Sequence, residues 1–209
     1  MTSSLTEALE ALLGAGPVRA GQVEMRRAGA AYELRHLEDA GLTQLQLFQR
    51  YEDAREIAQY DEGGAFRPLK TAPNLRRGWL LRLPTVRDVH LALDYLYPAM
   101  LGVWRDQAAG RLRAVPLRET LGRQSGMYAV TRKLTDEQAQ ATIADFCRSD
   151  TGCLKRILWE IAPGQPLTSL PAAKFSAAHP GAEFPLLCHE ACNLLVARAR
   201  EVVKNAGPR

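Results

Sequence analysis

All four cysteines of this 209-residue chain fall between positions 147 and 192, and they fall as a pair of pairs. Five residues separate Cys147 from Cys153, and three separate Cys188 from Cys192. Four thiolates are the number that closes one metal centre, so the grouping leaves none over. A chain that uses them together must bring the second pair back onto the first, and that requirement limits its C-terminal topology.

Local signals suggest how each pair is carried. Thr135 and Gln138 form a capping-box pattern, and Ala139, Ile143 and Phe146 share one helical face that leads to Cys147. Ser149, Asp150, Thr151 and Gly152 then break the helix and turn the chain to Cys153. For the second pair, Leu186, Leu187, Ala191, Leu195, Ala199 and Val202 predict a helix from Pro185 to about Asn205. On such a helix Cys188 and Cys192, four apart, share a face.

The spacing bears on the metal. Zinc knuckles hold their cysteines two to four residues apart, which makes the Cys147–Cys153 gap wide for one. A four-iron four-sulfur (4Fe-4S) cluster tolerates irregular spacing if four thiolates converge and water is excluded. Phe146, Leu154, Ile157, Trp159, Leu186 and Leu187 are candidate walls, and Arg148, Lys155 and Arg156 are candidate counter-charges. Spacing therefore favours an iron–sulfur cluster, while structural zinc, disulfides and buried unligated cysteine stay open.

The residues also carry a resemblance. Arg-Gln-Ser-Gly-Met-Tyr at 123–128, Leu-Thr-Asp-Glu-Gln-Ala at 134–139, Phe-Cys at 146–147 and Gly-Cys-Leu-Lys-Arg-Ile-Leu-Trp at 152–159 are its core. They resemble the 4Fe-4S domain appended to CbiX-like sirohydrochlorin cobaltochelatase proteins of the Deinococcus type. Tyr-Glu-Leu-Arg-His at 32–36, the run from Arg67 to Trp79 and Tyr-Pro-Ala at 97–99 extend the likeness over most of the chain. The resemblance implies that Cys147, Cys153, Cys188 and Cys192 ligate the cluster. It also implies a chelatase-type partner. The chelatase domain itself is missing from this sequence, so metal insertion does not carry over and no catalytic residue is assigned.

Charge divides the remainder unevenly. Residues 1–66 hold 6 basic and 11 acidic side chains, whereas residues 67–133 hold 13 and 4. Arg67, Lys70, Arg76, Arg77, Arg82 and Arg87 run without an intervening acid. Such a stretch suits the carboxylates of a tetrapyrrole precursor, or phosphates, or the acidic first third of the same chain. Nucleic acid is the less favoured partner. No apolar run reaches membrane-span length and no secretory pattern opens the chain, so cytoplasmic residence is the expectation. Phosphate-loop motifs and a nucleophile elbow are absent.

The pattern predicts an α+β protein in two parts. Residues 1–125 form a mixed domain with the basic loop, and residues 126–209 a mostly helical cluster domain. Within the first part the expected elements are a helix at 4–13, a hairpin from Gln22 to Leu37 turning at Gly29, and a helix over Leu45–Tyr60. A buried strand at Trp79–Leu83 and a long helix opened by Thr85 and broken near Pro98 follow. Met127–Val130 reads as extended, His36 as a structural histidine, and residues 162–184, with four prolines, as a long loop in which Lys174 and His179 could reach the cluster edge. The functional expectation is electron transfer or redox sensing in support of a chelatase of tetrapyrrole synthesis. Its rivals are a metal-stabilised module that grips nucleic acid or an acidic partner through the basic third, and tetrapyrrole binding without redox.

Overall fold

A computed structural model describes residues 5–58, 75–112, 115–147, 153–158, 182–189 and 191–207. In chain order the elements are α1 (Leu5–Ala15), β1 (Val18–Ala20), β2 (Val23–Ala28), β3 (Ala31–His36), β4 (Gln46–Phe48), α2 (Ala54–Ile57), β5 (Trp79–Leu83), α3 (Val86–Leu96) and α4 (Met100–Ala108). They are followed by α5 (Leu117–Gly122), α6 (Asp136–Cys147), β6 (Arg156–Ile157), β7 (Ala182–Phe184), β8 (Leu187–Cys188) and α7 (Asn193–Asn205). A 3₁₀ helix, Gly126–Lys133, links α5 to α6. The α+β class is borne out. Among the described residues no helix is long and apolar enough to cross a membrane.

Period-two alternation builds the main sheet. Val23 and Met25 on β2, Tyr32, Leu34 and His36 on β3, and Trp79, Leu81 and Leu83 on β5 all point to one buried face. On the opposite face, register places Glu24 across from Arg35 and Arg26 across from Glu33, and both pairs close as ion pairs at 2.6 and 2.7 Å. The hairpin turns at Gly29, whose φ of 63° is the left-handed conformation glycine adopts without penalty. Helices α1, α3 and α4 cover the buried face with Leu9, Leu13, Val89, Leu93, Leu96 and Leu101.

The sheet has six strands in the order β4-β5-β3-β2-β1-β7. Its middle is antiparallel, but both edge strands are added in parallel. One of those edges corrects the helix expected over Leu45–Tyr60. Residues 46–48 instead pair with Trp79–Leu81, and among the described residues of that range helix occurs only as a 3₁₀ turn at Tyr51–Asp53 and the four residues of α2. Phe48 is buried while Leu47 stays exposed, so backbone pairing along the β5 edge, with Phe48 turned into the core, wins over the helical period. Residues 59–74, with Arg67 and Lys70, lie outside the described set.

Thr85 caps the helix it was expected to open, its Oγ1 accepting from the Asp88 N–H at 3.2 Å. The expected break at Pro98 divides α3 from α4, with Ala99 at φ 61°. Met127–Val130 is not extended. It lies in the 3₁₀ helix Gly126–Lys133, where Thr131 Oγ1 donates to Tyr128 O at 2.8 Å and Arg200 Nε donates to Met127 O at 3.2 Å. Packing against α7 selects the compact form.

His36 is a buried structural histidine, 1 % exposed, whose Nδ1 accepts from the Glu38 N–H at 3.1 Å. Its Nε2 and the Oδ1 of buried Asp39 have no hydrogen-bond partner among the described residues. Burial pushes the imidazole below its ordinary value of 6.5, with Asp39 and Glu38 opposing in part. A folded value below the unfolded one means that the stability owed to neutral His36 is complete above about pH 6.5 and is lost as pH falls toward the folded value. Urea midpoints measured from pH 7 to pH 5 should therefore fall, and the fall should be smaller in His36→Gln. Equal pH profiles would remove His36 as the cause.

Candidate metal centre

Two apolar cores meet at the cysteines. The first lies between the six-stranded sheet and helices α1, α3 and α4, and the second joins α5, α6, β6 and α7. Helix α6 starts with the predicted capping box: Thr135 Oγ1 accepts from the Gln138 N–H at 3.2 Å, and Gln138 Oε1 from the Thr135 N–H at 3.0 Å. Its buried face is Ala139, Thr142, Ile143 and Cys147, at helical spacing, with Phe146 only half-buried. Cys147, the last helical residue, is thus delivered into the second core.

The second pair is carried differently from the expectation. Leu187 and Cys188 form β8, which runs parallel to β6 with Ile157 opposite Cys188. The Leu158 N–H donates to Cys188 O at 2.8 Å, and the Arg156 N–H to Leu186 O at 2.7 Å. Helix α7 begins only at Asn193, so Cys188 and Cys192 do not share a helical face. Instead Cys192 is the N-cap residue, with extended backbone, and its Sγ accepts from the Leu195 N–H at 3.4 Å. A sulfur carrying negative charge is favoured at that end of a helix. The Phe184-Pro185 step could have warned of extended backbone at the end of β7, since a residue before proline prefers it, but it carries no signal for β8.

The segment before Cys188 is anchored on the other unit. Strand β7 pairs with β1, Val18 opposite Ala182 and Ala20 opposite Phe184. The Phe184 ring meets Trp104 edge-on at 4.6 Å, and Leu186 is buried in the first core. Leu154 and Cys153 pack against that same core, whereas Cys147, Cys188 and Cys192 pack in the second. Cys147 is buried and the other three are half-buried, and none forms a disulfide. Among the described residues no three His, Cys, Asp or Glu side chains are drawn into a single-ion site.

Other expected participants are placed in part. Ile157 walls the second core and Leu186 the first, while Leu187 is buried beside β6. Arg148, Trp159, Lys174, His179 and the turn at 149–152 lie outside the described residues, as do residues 162–181 of the expected loop. Of that loop, residues 182–184 form β7. Two members of the basic stretch are matched by acids of the first third: Arg76 pairs with Glu56 at 3.5 Å and lies over the Phe48 ring at 5.6 Å, and Arg77 pairs with Glu38. Arg82 and Arg87 are exposed.

Fold and thiols together define an α+β protein in which a six-stranded sheet with its helices adjoins a mostly helical, cysteine-bearing core. The chain belongs to the family described as the DR2241 stabilising domain, which it matches over residues 4–108, and residues 109–201 are a 4Fe-4S iron-sulfur cluster binding domain. The resemblance read from the sequence is thereby borne out. The structure is similar to the crystal structure of DR2241 from Deinococcus radiodurans, described as a multi-domain protein with structural similarity to chelatases but also with two additional novel domains. Identity is 31 % and the TM-score 0.77, covering 96 % of this chain and 41 % of that one. This chain therefore spans about two fifths of that relative's length. No curated protein matches.

Proposed function

We infer that Cys147, Cys153, Cys188 and Cys192 ligate the 4Fe-4S cluster, and that the chain serves a chelatase-type partner of tetrapyrrole synthesis as a redox or sensing accessory. The observation that supports the ligand assignment is the packing of Cys147, Cys188 and Cys192 against one apolar core and of Cys153 against the other, with all four inside the stretch matched by the 4Fe-4S binding domain. The donor set fits such a cluster: four thiols outside any disulfide, apolar neighbours in Ile143, Ile157 and Leu195, and a backbone N–H aimed at one sulfur. When bound, the cluster supplies one-electron redox capacity.

The chain's own residues do the rest. Helix α6 presents Cys147 from a buried face. The β6–β8 pairing positions Cys188, and the first turn of α7 orients the Cys192 sulfur. Ile143, Ile157 and Leu195 exclude water from that side, which strengthens every electrostatic contact there. The partner reading is supported by the chelatase similarity described for the Deinococcus relative. Exposed Arg82 and Arg87 are available to an anionic tetrapyrrole. Reduced cytoplasm is the matching compartment, since ligand thiols must escape oxidation.

Anaerobically purified chain should be brown, with iron and acid-labile sulfide in the ratio of a 4Fe-4S cluster. Colourless protein containing zinc would overturn the ligand assignment. For the accessory role, cobalt insertion into sirohydrochlorin by a chelatase-type protein should be timed with the cluster-loaded chain oxidised, reduced and metal-free. Equal rates in all three conditions would remove it.

A further inference from the structure

Away from the cysteines, a cleft of about 520 Å³ opens where the 3₁₀ helix Gly126–Lys133 runs beside the C-terminal part of α7 and α6 begins. The Arg200 to Met127 hydrogen bond ties the two elements together one turn away. Val130 and Val203 give the cleft apolar walls, Lys133 and Lys204 line it as well, and no Asp or Glu does among the described residues.

Its remaining polar side chains are left as donors. Thr135 Oγ1 already accepts the Gln138 N–H, and Gln138 Oε1 already accepts the Thr135 N–H. What those side chains still offer a ligand is chiefly a hydroxyl hydrogen and an amide NH₂. Of the carboxylates near it in sequence, Asp136 pairs with Arg118 at 2.5 Å and Glu201 with Arg198 at 3.0 Å, while exposed Glu137 is not among the lining residues. Two cations, two neutral donors and apolar walls complement an anion with carboxylates on an apolar body.

The geometry points to a binding site for a small aliphatic dicarboxylate in this cleft, its carboxylates on Lys133 and Lys204 and its methylene spacer against Val130 and Val203. The site is independent of the cluster. Its volume lies within the range of small-molecule clefts, and inorganic phosphate would satisfy its charge but not its walls.

Thermal unfolding of the full chain tests this, with succinate, glutarate and adipate as probes against inorganic phosphate and against sodium chloride at matched ionic strength. A ligand that binds only the folded form raises the midpoint by mass action, so at least one dicarboxylate should raise it by several degrees beyond either control. In Lys133→Gln/Lys204→Gln the rise should vanish while the ligand-free midpoint stays, because both side chains are exposed. The Lys133→Arg/Lys204→Arg chain should keep most of it. No response to any of the three acids, a response matched by chloride or phosphate, or one that survives in the double glutamine variant would each overturn the assignment.

Discussion

Chains carrying Cys192→Ala and Cys192→Ser are expected to lose iron and visible absorption alike, yet to differ in the stability of the metal-free fold. Neither replacement supplies a thiolate, so a centre that needs four loses one corner to water. The cap is a separate matter. Cys192 Sγ holds the Leu195 N–H at the start of α7, and serine restores an acceptor there while alanine does not. Metal-free Cys192→Ala should be less stable than Cys192→Ser by about 1 kcal/mol, the usual worth of an N-cap. Cys147→Ala is the complement: it should also lose iron, but it lies at the C-terminal end of α6 and leaves the α7 N-cap intact. Iron content and urea unfolding of the metal-free chains measure both effects. Full iron in either Cys192 variant would exclude that residue as a ligand.

Gly21→Ala should be among the most damaging single changes outside the cysteines. Gly21 has φ 55°, and an added Cβ would stand 2.7 Å from Leu186 Cδ1 and 2.8 Å from Tyr97 Cζ and Oη. Tyr97 is buried with its Oη accepting the Gln22 N–H at 3.0 Å, so the ring cannot swing aside without giving up that bond. Left-handed backbone and overpacking together should cost about 2–4 kcal/mol. Gly29→Ala is the control, since its φ of 63° is similar but nothing lies within 4 Å of the added carbon, and it should cost only about 1–2 kcal/mol. Leu186 precedes Cys188 by two residues, so Gly21→Ala should also weaken iron retention where Gly29→Ala does not. Equal urea midpoints for the two variants would mean that the close approaches to Leu186 and Tyr97 contribute nothing.

The elements legible in the sequence were those whose signals are local. Glu24, Arg26, Glu33 and Arg35 alternate with Val23, Met25, Tyr32 and Leu34, and that pattern alone specifies the hairpin and its buried face. Thr85, Thr135 and Gln138 mark helix starts because capping is settled within one turn. The misread stretches were those whose partner is distant. Gln46–Phe48 became a strand because β5 offers it an edge, Leu187–Cys188 because β6 does, and Gly126–Lys133 closed into a 3₁₀ helix because α7 lies alongside. None of those partners is visible within a window of a few residues.

Taken alone, the amino-acid order determined which four thiols the proposed centre would draw on, where the helices that begin with a hydroxyl cap start, and that the chain mixes strands with helices. It did so because side-chain chemistry and near-neighbour geometry do not depend on what comes back to meet them. Folding in three dimensions decided that the segment leading to Cys188 returns as an edge of the first sheet, that Cys192 caps α7, and that Cys153 rests on the other core. Those outcomes follow from burial of Phe184 and Leu186 against residues far away in sequence, a gain that exists only once the sheet and its helices are assembled.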